Sequence, residues 1–214
     1  MTDLIAGFDP GGKEGFGWCI CESSGEIPLP VVNTGVVSSA QGAKDEVDNI
    51  CNGNGGRLKA IGIDAPLFWD PQGDRQVDQH LRKVISQSGG TSSTIMAVNS
   101  LPGACLIQGM MVAMLYRNDN RKLPITEAHP KAMLYAMGLS PTLTTLANAQ
   151  SNQQVLFQLP KEIADNEHTR DAALAALAAW AILHNQQGWS DLYAQFGGGA
   201  LTPLSPPLHY YFPS

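Results

Sequence analysis

Residues 4–22, LIAGFDPGGKEGFGWCICE, decide how the rest of the chain is read. Leu4, Ile5, Ala6 and Phe8 form an apolar run that reads as a buried strand ending on a carboxylate, Asp9. Pro10-Gly11-Gly12 forces a turn, and Phe16, Trp18 and Ile20 then alternate with small or polar residues as a second strand would. The expectation is a hairpin with an aspartate at its lip. Working outward, residues 27–30 read as a turn. Residues 31–37, rich in β-branched side chains, read as a third strand that completes an antiparallel meander.

Two later apolar runs also end at acids. Residues 58–63 lead into Asp64-Ala65-Pro66, and residues 123–127 end at Glu127, followed by Ala128-His129-Pro130. Helical spacing marks residues 44–51, 74–85, 104–116 and 131–137, and residues 143–159 also read as helix. Residues 104–116 are apolar nearly all round, which predicts deep burial. Residues 167–185 have the strongest helix propensity through their alanines and leucines, with Asp171 in or near the first turn. Residues 1–188 are expected to form one α/β domain, and residues 189–214 an irregular tail packed on it.

With 214 residues, 43% apolar and 15% charged, the chain can bury a core without disulfide or metal staples. A formal charge of -6 is the wrong sign for coating nucleic acid by bulk electrostatics, so any contact with DNA or RNA must be local. Cys19, Cys21, Cys51 and Cys105 show no CxxC spacing, which fits reduced thiols and a cytoplasmic location. The longest apolar run, residues 172–183, is shorter than the roughly 20 residues of a membrane span, so no membrane association is expected. A homodimer stays open.

Gly7 to Lys13 matches a phosphate loop until its last position, where Glu14 replaces the required hydroxyl, and a strand rather than a helix is expected to follow. Singly, each carboxylate has an ordinary role. Asp9 and Asp64 read as Asx-turn residues, Glu127 as an arginine's partner, and Asp171 as a complement to the helix dipole. Jointly, they stand at strand ends, where ligands gather in α/β sheets. If the first, fourth and fifth strands are neighbours, Asp9, Asp64 and Glu127 share one rim and a helix can add Asp171. Clustered negative charges raise one another's pKa unless a divalent cation neutralises them, and oxygen-only ligands select Mg²⁺ or Mn²⁺. Two such ions can activate water and stabilise a phosphodiester's leaving oxygen. His129 and His168 are candidates of lower rank, and Arg75, Arg170 and Lys13 are candidates for binding phosphate. Arg82 reads as a salt-bridged surface residue.

With these residues in place, the sequence resembles the RNase H-like superfamily. GFDPGGKEGFGWCI resembles the opening hairpin of RuvC-type Holliday-junction resolvases. GFDPGG, IGIDAP followed by DRQVDQHLR, TEAHP and HTRDAALAALAAW are together similar to the domain-of-unknown-function family numbered 429, predicted RNase H-like nucleases. The resemblance implies a mixed five-stranded sheet, three antiparallel strands then parallel ones, with helices on both faces. It implies a metal-dependent nuclease in which Asp9, Asp64 and Asp171 hold Mg²⁺ or Mn²⁺, and leaves Glu127 to complete the set. RuvC-type enzymes have a glutamate where Asp64 stands, and often two acids on the last helix where this chain has one. A binding module without turnover and an actin-like phosphotransferase are the alternatives.

Overall fold

The computed structural model describes residues 1–23, 25–140, 145–147, 156–197 and 201–214. Strand β1 (Thr2–Asp9) pairs antiparallel with β2 (Phe16–Glu22), and β2 pairs antiparallel with β3 (Leu29–Val37). Helix α1 (Ala40–Gly53), capped by the Ser39 hydroxyl, leads to β4 (Gly56–Ile63), which lies parallel to β1. Helices α2 (Gln76–Gln87) and α3 (Gly103–Asp119) precede β5 (Ile125–Glu127), parallel to β4. Helix α4 (Pro130–Ala136) follows, then β6 (Phe157–Gln158) and the long helix α5 (Glu167–His184).

Among the described residues the main sheet has seven strands rather than the five expected, in the order β6-β3-β2-β1-β4-β5-β8, with β8 formed by Leu208–His209. The five inner strands were legible, but the two edge strands have only two residues each, too few to show a period. The C-terminal residues, read as irregular chain, include regular elements. They carry β7 (Trp189–Asp191), the short helix α6 (Leu192–Phe196), β8, and β9 (Tyr211–Pro213), which pairs with β7 in a second sheet. Most of the expected helix at 143–159 lies outside the described residues, and Phe157–Gln158 within it is strand.

The sheet is covered on both faces. Helices α1 and α3 bury Leu4, Phe8, Ile61 and Ile63 against one, and α5 covers the other. Helix α5 lies unusually close because the strands beneath it carry glycine. A Cβ on Gly7 would meet the Ala172 carbonyl oxygen at 1.8 Å, and one on Gly62 would meet that of Ala175 at 1.8 Å. Gly17 is closed in the same way by His168, whose carbonyl oxygen would stand 2.3 Å from a Cβ there. The alanines of α5 answer this spacing, while its buried Leu174, Leu177 and Trp180 each contribute about 1.5–3 kcal/mol of transfer free energy. A capping box between Asn166 and Thr169 fixes where α5 begins.

Helix α3 corrects the expectation of deep burial. Its inner face is buried, but Ile107, Met111 and Met114 are exposed along the other. Among the described residues no helix is long and apolar enough to cross a membrane. All four cysteines are free, with Cys19 and Cys21 sulfurs 3.8 Å apart on one face of β2.

Candidate active site

The condition for a shared rim is met: β1, β4 and β5 are adjacent, and Phe8, Ile63 and Glu127 stand in register. The Asp64 amide donates to the Phe8 carbonyl at 2.8 Å and the Ala128 amide to that of Ile63 at 2.8 Å, so the ladder runs to the very ends of the strands. Asp9 and Asp64 leave the parallel pair side by side. The close seating of α5 on Gly7 and Gly17 brings its first turns over them, carrying His168, Arg170 and Asp171 to the same rim.

Asp9, Asp64 and Asp171 form one electrostatic group. The Asp9 carboxylate Oδ2 lies 2.7 Å from His168 Nδ1. Burial raises the Asp9 pKa against the pull of His168 and Arg170, while the bond to Asp9 raises that of His168. Asp171 is pushed up to about 6 by burial and by the Asp9 charge, although the adjacent Arg170 guanidinium binds it through Nε at 2.7 Å and Nη2 at 2.6 Å. Asp64 is held well above the ordinary carboxylate range by burial and then by Asp9, Asp171 and Glu127. Among the described residues its carboxylate takes no hydrogen bond or ion pair.

Glu127 stands apart in a buried ion cluster. Arg75 donates to it through Nη1 at 2.9 Å and Nη2 at 2.7 Å, and to Asp78 through Nε at 2.8 Å and Nη2 at 2.6 Å. The Leu67 amide at 3.0 Å and the Tyr193 hydroxyl also donate to Glu127. Arg75 in turn lies over the Phe68 ring, 4.8 Å from its centroid. Burial opposes the Arg75 charge, yet Glu127 and Asp78 hold its pKa well above the ordinary value. These contacts leave its guanidinium turned inward rather than toward a phosphate. Arg170 is likewise engaged by Asp171, and Arg82 by Asp74 at 2.7 Å.

His129, at the N-cap of α4, is pushed down to about 4 by burial, so its imidazole is neutral at neutral pH. Its Nδ1 is shut from solvent without a partner among the described residues. Lys13 lies in the β1–β2 turn. That turn folds back on itself through a bond from the Gly15 amide to the Gly12 carbonyl at 3.1 Å, and β2 follows it, so the helix a phosphate loop requires does not occur there.

Asp9, Asp64 and Asp171 are thus brought together, with His168 and Arg170 over them, while Glu127 and Arg75 form a buried second cluster alongside. Asp78 and Tyr193 of that cluster carried no functional signal in the sequence: Asp78 reads as the polar face of α2, and Tyr193 is 66 residues from its partner. Among the described residues no three side chains of His, Cys, Asp or Glu already stand close enough to grip one metal ion. By chemistry the three aspartates nevertheless suit a divalent cation. They offer only oxygen donors, their charges raise one another's pKa, and the Asp64 carboxylate has no hydrogen bond or ion pair among the described residues.

No curated protein and no solved structure matches the chain significantly. Over residues 17–193 it matches the family model described as Protein of unknown function (DUF429), and the chain belongs to that family.

Proposed function

We propose that this protein is an RNase H-like nuclease that hydrolyses phosphodiester bonds of DNA or RNA with Mg²⁺ or Mn²⁺. One observation carries the reading. Three carboxylates, from the ends of β1 and β4 and the start of α5, converge at one rim, and the central one, Asp64, has no partner of its own. The inner strand order β3-β2-β1-β4-β5, antiparallel and then parallel, supports the superfamily assignment.

In this reading Asp9, Asp64 and Asp171 would hold the metal, which supplies a water of lowered pKa and a counter-charge for the leaving oxygen. His168 fixes the Asp9 carboxylate, and Arg170 fixes that of Asp171, so both present a defined oxygen to the rim. Glu127, surrounded by Arg75, Tyr193 and Leu67, stiffens the floor behind Asp64 and adds to the local negative potential. His129, neutral, lines the cavity beside that floor, while His168 is the imidazole in contact with Asp9.

The binding-module alternative draws on one observation: Asp9 and Asp171 are already paired within the chain. Asp9→Asn separates the two. It is expected to abolish Mn²⁺-dependent cleavage of labelled DNA and RNA strands, while the melting temperature in chelator stays level or rises because a crowded charge is gone. Cleavage at the wild-type rate by the variant would reject the site. A lowered melting temperature in chelator would assign Asp9 to capping its turn instead.

A further inference from the structure

A small cavity of about 90 Å³ opens directly beside Asp64. Its lining joins an apolar wall of Ile95, Met96, Leu101 and Cys105 to Asp64, His129 and the Arg75, Asp78 and Glu127 ion cluster. Cys105 ties that wall to the end of β4 through a contact from its sulfur to the Asp64 carbonyl at 3.8 Å. Met96, at the rim, is exposed and, being unbranched, can adapt its shape to a flat ring. The cavity is far below the roughly 300 Å³ at which pockets enclose a whole small ligand, so it suits a single ring with the remainder outside.

The cations point the same way. The chain has 13 lysines and arginines, none of them among the undescribed residues. Seven are bound to carboxylates or backbone carbonyls: Lys44, Arg57, Lys59, Arg75, Arg82, Arg117 and Arg170. Of the rest, Lys13 sits in the turn packed beside His168, and Lys131 is near enough to act on both Asp64 and Asp171. Arg121 and Lys122 precede β5, at the opposite end of the strands from the acids, Lys83 lines a different cavity with Asp70 and Asp74, and Lys161 lies exposed between β6 and α5. A duplex, with one charge per roughly 1.7 Å of axis, would meet a chain of formal charge -6.

We propose that the site takes an unpaired strand rather than a duplex, seating one nucleobase in the cavity beside Asp64 while Lys13 and Lys131 hold the flanking phosphates. This rests on the nuclease reading for its cleavage arm only. A base inside a duplex is stacked and cannot enter, whereas an unpaired one can be splayed into an apolar slot.

The test compares one labelled oligonucleotide as a single strand, as a duplex, and as a strand with one abasic position. Binding is followed by fluorescence anisotropy in Ca²⁺, and cleavage in Mn²⁺, between 50 and 200 mM salt as working conditions. The strand should bind at least about tenfold tighter than the duplex, with log K falling against log salt at a slope of about −1.4, that of two neutralised phosphates. Leu101→Trp, which fills the cavity, should erase the preference for base over abasic strand and keep the same salt slope. Equal binding of strand and duplex, or of base and abasic strand by the wild type, would overturn the proposal. Preferential binding without any cleavage would reject the nuclease reading and leave the base cavity supported.

Discussion

Arg75 lies buried between Asp78 and Glu127, and the arrangement is tolerated because one guanidinium serves both carboxylates and the Tyr193 hydroxyl and Leu67 amide also donate to Glu127. Removing the cation alone strands two buried acids. Arg75→Met should therefore lower the unfolding free energy by about 3–5 kcal/mol in urea at neutral pH. An unchanged midpoint would mean that water reaches the acids. Asp64 predicts an effect of opposite sign. Its raised pKa means that the native state holds a proton where the unfolded chain has released it. The cost is absent below the ordinary carboxylate value, accumulates as pH rises, and is complete above the folded value. For Asp171 the same interval runs from 3.8 to about 6. In chelator, Asp64→Asn should thus match the wild type near pH 4 and exceed it by a margin that widens as pH rises, measured by thermal melting. A constant difference across that range would exclude charge as its cause.

At the level of elements, the seating of α5 on β1, β2 and β4 does the most to assemble the site. Propensity explains why α5 is a helix, but the glycines beneath it explain why its first turns reach Asp9. Gly62→Ala puts a methyl group into the Ala175 carbonyl, a backbone atom that no rotamer change can move aside. The expected loss is about 1–3 kcal/mol or more, with α5 lifted from the sheet. Amide exchange should then accelerate along α5 while α1, on the other face, keeps its protection. Protection unchanged in both helices would show that the packing can relax around a methyl group. Gly7, Gly17 and Gly62 stand inside strands β1, β2 and β4. Their role as a cradle is not legible in the sequence, because it depends on which helix crosses which strands.

For the whole molecule, the C-terminal residues complete the domain rather than decorate it. Tyr193 reaches Glu127, β8 extends the main sheet beside β5, and Tyr210 and Phe212 are buried in the core beneath α5. A chain ending at residue 188 should lose its cooperative unfolding transition and its near-ultraviolet dichroism, both recorded against the full chain. Retention of both would place residues 189–214 outside the folding unit. By itself the sequence determined the inner strands, the principal helices and the three acids at the strand ends, because hydrophobic period, capping residues and turn chemistry act over a few neighbouring positions. Only the tertiary structure decided which acid is neutralised and which is left open. Arg75 meets Glu127 across 52 positions, Tyr193 meets it across 66, and His168 meets Asp9 across 159. Such contacts follow from strand order and the crossing of α5, and no local pattern encodes them. They divide acids that look alike in sequence into a satisfied Glu127, two paired aspartates and an unpartnered Asp64.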